Sequence, residues 1–188
     1  MAAIIEDGQT LSLGQILTLV APSASGAARK TTETRLSRWT QERVFKVLGK
    51  NTRTGSGHHR LYPMKEVVLV AIAQKLHAHG LRVNAIENIT ITLRSSLERH
   101  PSANQIDLAL DWIRSGEPKK GAARQIQDEA CLIAFAQVGK SDLWHPINPK
   151  RRGQSVTGAD IAQHEVTITL NLRLALSCLR SVLLKDSG

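Results

Sequence analysis

The sequence predicts an α+β fold, because segments with helical spacing are followed by segments with strand spacing in a chain that can bury a core. Apolar residues occupy 41% of the 188 positions, a fraction typical of folded domains. Helical spacing dominates as far as Ser115. Beyond it, the continuous apolar run 130–138 and the alternating segment 164–172 indicate strands. The length fits one domain of ordinary size or two small ones.

Five helices are predicted in the N-terminal region from apolar residues three and four positions apart. They cover approximately residues 11–20, 31–42, 64–79, 84–99 and 105–115. The start signals are Ser12, a threonine at 31 or 32, and Pro63. Gly80 is suited to end the third helix as its C′ residue. A last helix, Leu172–Leu183, is predicted after the alternating segment and is apolar on more than one face.

A strand, a glycine-rich turn and a second strand are predicted between the second and third helices. Val44–Leu48 is a short apolar stretch, and His58–Tyr62 can run as an extended strand. The intervening Lys50–Gly57 contains the tip Thr54-Gly55-Ser56-Gly57, which cannot hold a helix. The pattern favours a hairpin with a basic tip.

The positive charge of the chain is concentrated in one segment. The net charge is +9, and Arg29–Lys65 holds ten lysines and arginines against two acidic residues. This segment therefore carries eight of the nine excess charges. Such a segment attracts polyanions and accelerates encounter with them. The alternative is an ordinary solvated basic surface that needs no partner.

The sequence offers no catalytic or metal-binding set. The glycines of the tip are followed by His58-His59, not by the Lys-Ser of a phosphate-binding loop, and a three-glycine dinucleotide motif is absent. Adjacent histidines in a strand point to opposite faces, so this pair cannot simply chelate one ion. Cys131 and Cys178 are expected to be buried, reduced thiols. We therefore expect no enzymatic activity, no cofactor and no metal.

A cytoplasmic location is expected from the apolar segments and the N-terminus. No apolar run approaches the roughly 20 residues that span a bilayer. The first residues include Glu6 and Asp7 and lack the basic segment of a secretory signal. A DNA-binding protein in this compartment would be associated with the nucleoid.

The segment from Arg60-Leu61-Tyr62 through Leu76 and Gly80-Leu81 to Ile86 and Ile89 resembles the DNA-binding domain of the MerR-type transcriptional regulators. In that family, a wing ending in an Arg-x-Tyr strand precedes a helix, a Gly-Leu turn and a further short helix. The resemblance covers about residues 11–92. It implies an N-terminal winged helix-turn-helix followed by a smaller α+β domain.

Upstream, Thr34–Trp39 is similar to the recognition helix of the family, in which an arginine precedes an aromatic pair. Trp39 supplies one aromatic residue, and Thr40 occupies the other place. Family members usually pass from the first helix to the second by a tight turn. Here Ala21–Lys30 is inserted, which predicts a longer, linker-like connection.

The resemblance implies a recognition helix in the major groove and a wing on the DNA backbone. The candidate base-reading residues are Thr34, Arg35 and Arg38. The candidate wing contacts are Arg53, His58, His59, Arg60 and Tyr62. For Tyr62, a place in the core with its hydroxyl at the rim is an equal alternative. Leu36 and Trp39 are expected in the core.

These expectations divide the chain into a DNA-binding region with trailing helices at 1–117 and a C-terminal α+β region at 118–188. The predicted function is sequence-specific binding of double-stranded DNA and transcriptional regulation. The resemblance implies a homodimer, with RNA polymerase as a further candidate partner. The C-terminal region would dimerise the protein or bind an effector. Leu172–Leu183 is the candidate dimer interface, with core packing as an equal alternative.

Two alternatives remain from the sequence. The first is an architectural or recombination accessory protein that binds DNA with little sequence preference. The second is a ligand-sensing or enzymatic C-terminal domain for which the DNA-binding region is only a tether.

Overall fold

The computed structural model describes residues 9–48, 60–99, 105–115, 131–138, 143–147, 164 and 166–183. They form helices and two small sheets, which confirms the α+β class. The strands are β1 (Thr10–Ser12), β2 (Leu61–Pro63), β3 (Leu132–Gln137), β4 (Trp144–Pro146) and β5 (Thr167–Asn171). The helices are α1 (Leu13–Val20), α2 (Gly26–Gln41), α3 (Met64–Ala78), α4 (Val83–Arg99), α5 (Gln105–Ser115), α6 (Leu172–Leu176) and α7 (Arg180–Leu183), with a 3₁₀ turn at Ser177–Leu179.

Helix α3 is the centre of the core. All its residues from Val67 to Ala73 are buried, as expected for a helix that is apolar on every side. Helices α1, α4 and α6 and strands β1 and β2 pack around it. Gly80 ends the helix with φ at 87°, and the N–H groups of Gly80 and Leu81 donate to the carbonyls of His77 and Leu76. This arrangement confirms the predicted C′ glycine.

Strand β1 and helix α1 begin the described chain. Leu11 of β1 lies opposite Tyr62 of β2 in an antiparallel pair that the sequence does not predict. Ser12 is the predicted N-cap, and its Oγ accepts the N–H of Gln15. The Gln15 side-chain oxygen accepts the N–H of Ser12 at 2.8 Å in return. This capping box satisfies two N–H groups at the start of α1.

The connection between α1 and α2 is shorter than predicted. Helix α2 begins at Gly26, so only residues 21–25 connect the two helices, and the expectation of a long linker over Ala21–Lys30 is wrong. Ala27 and Ala28 favour a helix. Arg29 also donates to Thr18 Oγ1 of α1 at 3.1 Å, which joins the first turn of α2 to its neighbour.

The predicted strand Val44–Leu48 is wrong except at its last residue. Arg43 adopts a left-handed φ of 64°, and the N–H of Val44 donates back to the carbonyl of Trp39 at 2.9 Å. The chain therefore turns inward at the end of α2 and buries Val44 and Phe45. Only Leu48 pairs as a strand would, in an antiparallel bridge to Leu61.

A buried ion pair holds this turn in place. Arg94 of α4 donates to both carboxylate oxygens of Glu66 of α3, at 2.7 and 2.9 Å. The same guanidinium donates to the carbonyl of Val44 at 2.7 Å, and Glu66 accepts the N–H of Lys46 at 3.0 Å. The two side chains are only 10% and 5% exposed. Four hydrogen bonds therefore join α3, α4 and the turn after α2.

The C-terminal sheet has the order β4-β3-β5, with both pairings antiparallel. Strands β3 and β5 confirm the two strands predicted there. Strand β4 lies in a segment expected to be irregular, and that expectation is wrong at Trp144–Pro146. The N–H of Trp144 donates to the Asn88 side-chain oxygen of α4 at 2.8 Å, which fixes the sheet against the N-terminal helices.

Residues from both predicted regions belong to one hydrophobic cluster. Leu172, Leu176, Leu179 and Leu183 are buried, and α6 packs against α3 and α5. The candidate dimer interface Leu172–Leu183 is thus a helix broken by a 3₁₀ turn, and its buried face packs inside the chain. This arrangement agrees with the core-packing alternative. The predicted division at 117/118 lies outside the described residues.

The buried ion pair generates a stability prediction. Glu66→Gln leaves the Arg94 charge unpaired in the core, so we expect unfolding free energy to fall by about 3–5 kcal/mol. The measurement is chemical denaturation monitored by circular dichroism.

The matched control is the exposed pair between Lys46 and Glu98, 3.4 Å apart. Glu98→Gln should change stability by only about 0–1 kcal/mol, because water screens an exposed pair. Equal losses for the two substitutions would contradict a central role for the buried pair.

Candidate nucleic-acid interface

Helix α2 separates its residues into a buried face and an exposed polar face. Thr32, Leu36, Trp39 and Thr40 are buried, as helical spacing of the core residues requires. The opposite side of the helix carries four exposed residues at spacings of three and four, so they form one line along its surface. These are Ala27, Thr31, Thr34 and Arg38.

Arg38 is the more accessible of the two predicted base-reading arginines. Its side chain is 73% exposed, and its Nε donates to Glu42 Oε1 at 2.8 Å. The hydrogen bond and the negative charge of Glu42 raise the pKa of Arg38, so its positive charge is secure. An exposed pair one helical turn apart is weak. A phosphate or a guanine edge could therefore replace Glu42 at little cost.

Arg35 is held by the protein itself. Its Nη2 donates to Gln74 Oε1 of α3 at 2.8 Å and to Thr32 Oγ1 at 3.4 Å. The guanidinium carbon lies 5.7 Å from the centre of the Trp39 ring. Burial lowers the pKa of Arg35. Arg35 therefore anchors α2 to α3, whereas Arg38 extends into solvent, and the predicted base-reading role of Arg35 stays a prediction.

Tyr62 lies in the core and not on an exposed surface. The residue is 1% exposed, and its hydroxyl shares a 2.8 Å hydrogen bond with Thr40 Oγ1. Thr40 also donates to the carbonyl of Leu36, so both hydroxyls are satisfied within the protein. A phosphate cannot reach this hydroxyl, which corrects the expectation that Tyr62 contacts DNA. The core alternative for Tyr62 is the one observed.

The remaining predicted wing residues have different outcomes. Arg60 is half-buried and lies directly before β2. Arg53, His58 and His59 lie outside the described residues, so their predicted roles stay predictions. Leu48 and Leu61 pair in an antiparallel bridge, so these two residues on either side of the predicted tip lie next to each other.

A cavity of about 620 Å³ opens beside the exposed line of α2. It brings together the three predicted base-reading residues Thr34, Arg35 and Arg38. Lys30 and Thr31 on α2, and His77 at the end of α3, also line it, and sequence reasoning missed these three. Lys30 and Thr31 were missed because α2 was predicted to begin later in the sequence than it does. That prediction assigned Lys30 to the linker and Thr31 to the cap.

The exposed charge around α2 is mainly positive. Lys30, Arg38, Arg43 and Lys46 are exposed on the helix and the turn that follows it. Among residues 29–48, all of which are described, the only acids are Glu33 and Glu42. The local surface therefore favours a negatively charged partner, such as a polyanion, over a neutral one.

Comparison of the chain with protein-family models, with curated proteins and with solved structures gives no match. Within the described ranges, no helix is both long and apolar enough to cross a membrane. The described histidines, cysteines and acids form no group of three that could hold a metal ion. Function is therefore inferred from the geometry and charge of α2 and its surroundings.

The burial of Tyr62 generates a prediction that distinguishes a place in the core from a DNA contact. Tyr62→Phe removes one buried hydroxyl, so we expect a stability loss of about 1 kcal/mol and no change in DNA affinity. Thr40→Val should cost a similar amount, and the double substitution less than the sum of the two. The measurements are denaturant unfolding and a DNA-binding titration. Normal stability with weakened DNA binding would show that the hydroxyl reaches the phosphate backbone.

Proposed function

We propose that this protein binds double-stranded DNA in a sequence-specific manner and regulates transcription. Helix α2 lies in the major groove in this proposal, and the basic segment between Leu48 and Leu61 contacts the backbone. The exposed line of Thr34 and Arg38, flanked by Lys30, carries the proposal. A helix of ordinary diameter fits a major groove about 12 Å wide, and arginine is the side chain that most often reads guanine.

The order of elements supports the proposal. Two helices joined by five residues precede the antiparallel bridge between Leu48 and Leu61, and α3 and α4 follow. This is the order that the resemblance to the MerR-type domain implies for a winged helix-turn-helix. The homodimer, the contact with RNA polymerase and the association with the nucleoid belong to the same proposal and rest on that resemblance.

The proposal assigns different functions to Arg38 and Arg60. Arg38 faces solvent on α2 and would read a base edge, whereas Arg60 precedes β2 and would contact phosphate. We expect Arg38→Ala to cost about 1–3 kcal/mol on the preferred sequence and to relax the preference at one base pair. Arg60→Ala should weaken binding to all sequences and lower the salt slope by about one.

The experiment is selection from a random DNA library with the purified full chain, followed by titrations at two salt concentrations. Arg114→Ala is the matched control, because this exposed arginine lies on α5, outside the basic segment. Equal losses for Arg38→Ala and Arg114→Ala on specific and random DNA would refute the reading helix. Enrichment of no preferred sequence would favour an architectural protein instead.

A further inference from the structure

The cavity beside α2 has the size and lining of a small-molecule site. Its volume of about 620 Å³ lies within the range of about 300–1,000 Å³ that is usual for ligand pockets. Trp39 forms part of its wall, and Ala27 and Val83 contribute further apolar surface. The buried Trp39 ring packs edge-on against the His77 imidazole, with 5.5 Å between ring centres. Trp39 is only 1% exposed, so it forms a rigid apolar floor beneath the cavity, and Ala27 and Val83 are the more exposed apolar residues of the lining.

The charged residues around the cavity all have the same sign. Lys30, Arg35 and Arg38 line it, and none of its nine lining residues is acidic. The carboxylate of Glu42, bonded to Arg38, is the acid that contacts this set. An excess of positive charge next to an apolar wall favours a ligand with an apolar body and one negative group.

Buried polar atoms without a partner mark the inner end of this region. Arg35 Nε, Gln74 Nε2 and His77 Nδ1 are buried, and no described residue forms a hydrogen bond with them. Arg35 and His77 line the cavity, and Gln74 binds Arg35. Buried polar groups in proteins are nearly always paired, so a set of three in one place indicates that acceptor atoms are supplied from elsewhere.

The guanidinium of Arg35 determines which negatively charged group of a ligand fits the cavity. One of its amino groups is bound to Gln74, while Nε keeps an unused donor. Because Nε is buried, the side chain must turn toward the cavity before Nε and an amino group can bind two oxygens together. Planar guanidinium donors match a planar carboxylate in this way. Burial lowers the pKa of Arg35, and a bound anion would offset that desolvation.

We propose that the cavity between α2, the end of α3 and the start of α4 is a binding site for a small apolar carboxylic acid. The apolar body lies against Ala27 and Val83 above the floor formed by Trp39, and the carboxylate binds Arg35 and Lys30. The site exists independently of any role in DNA binding.

The effect of this site on DNA binding rests on the proposed function. Because Thr34 and Arg38 line the cavity and also belong to the exposed line of α2, a bound acid would lie against the DNA-contacting surface. It would add a negative charge where DNA phosphates approach. The bound acid therefore weakens DNA binding, and the protein responds to the ligand in its N-terminal half.

The test uses 2-naphthoate and its neutral counterpart 2-naphthamide as probes on the full chain. Isothermal titration calorimetry should show the acid binding about tenfold or more tightly than the amide, since the amide lacks the charge-assisted hydrogen bonds. The NMR signal of the Trp39 indole N–H should shift on addition of the acid. Equal affinities, no binding up to millimolar concentrations, or an unchanged Trp39 signal would each overturn the site.

Substitutions of exposed residues provide the controls. Lys30→Gln should weaken binding of 2-naphthoate several-fold, and Thr31→Phe should block the cavity. Both residues are exposed, so the fold should tolerate the changes. Lys46→Gln removes an equal charge outside the lining and should leave the affinity unchanged. Equal effects of Lys30→Gln and Lys46→Gln would show that general attraction, not the cavity, binds the acid.

A competition titration separates this site from the proposed function. If 2-naphthoate binds and does not change the affinity for the selected DNA, the acid site stands and the regulatory consequence is wrong. If library selection gives no DNA binding at all, the proposed function fails while calorimetry still decides on the acid site.

Discussion

The buried pair between Glu66 and Arg94 is the interaction on which the rest of the N-terminal structure depends. It joins α3 to α4, and it also satisfies the carbonyl of Val44 and the N–H of Lys46 in the turn after α2. Burying two charges is costly, and the pair is tolerable only because nearly every donor and acceptor is used. A hydrophobic replacement could hold the two helices together, but it could not bind the backbone of the turn. The pair therefore fixes the direction in which the chain leaves the end of α2.

Two further polar contacts fix helix α2 itself. They distinguish the polar residues that hold the helix in place from those that face solvent. Arg35 binds Gln74 on α3, and Thr40 binds Tyr62 on β2. Both partners lie on the inner side of the helix, so these residues determine its rotation about its own axis. The rotation in turn decides that Thr34 and Arg38 face solvent. The outer residues are available to a macromolecular partner, whereas Thr40 is structural and Arg35 both anchors the helix and lines the cavity.

Features that depend on neighbouring residues could be predicted from the sequence, and contacts between residues far apart in the sequence could not. The Ser12 cap and the Gly80 terminus were predictable because each depends on residues within one turn. Strand β1 was missed because its partner lies some fifty residues away. For the candidate site, helical spacing was enough to select Thr34 and Arg38. It could not reveal that Arg35 is bound to Gln74, 39 residues away, or that Tyr62 is bound to Thr40, 22 residues away.

The shared core constrains how the C-terminal half can act on the proposed DNA-binding surface. Helix α3 contacts α6 of the C-terminal half, and it also carries His77, which lines the cavity beside α2, and Gln74, which binds Arg35. Asn88 of α4 accepts the backbone N–H of Trp144 in the C-terminal sheet. Close-packed interiors transmit displacement and do not absorb it. A change in the packing of α6 or β4 would therefore move α3 or α4 directly, and the position of Arg35 would follow. In this arrangement α6 and β4 support α3 and α4, and α3 in turn holds α2 through Gln74.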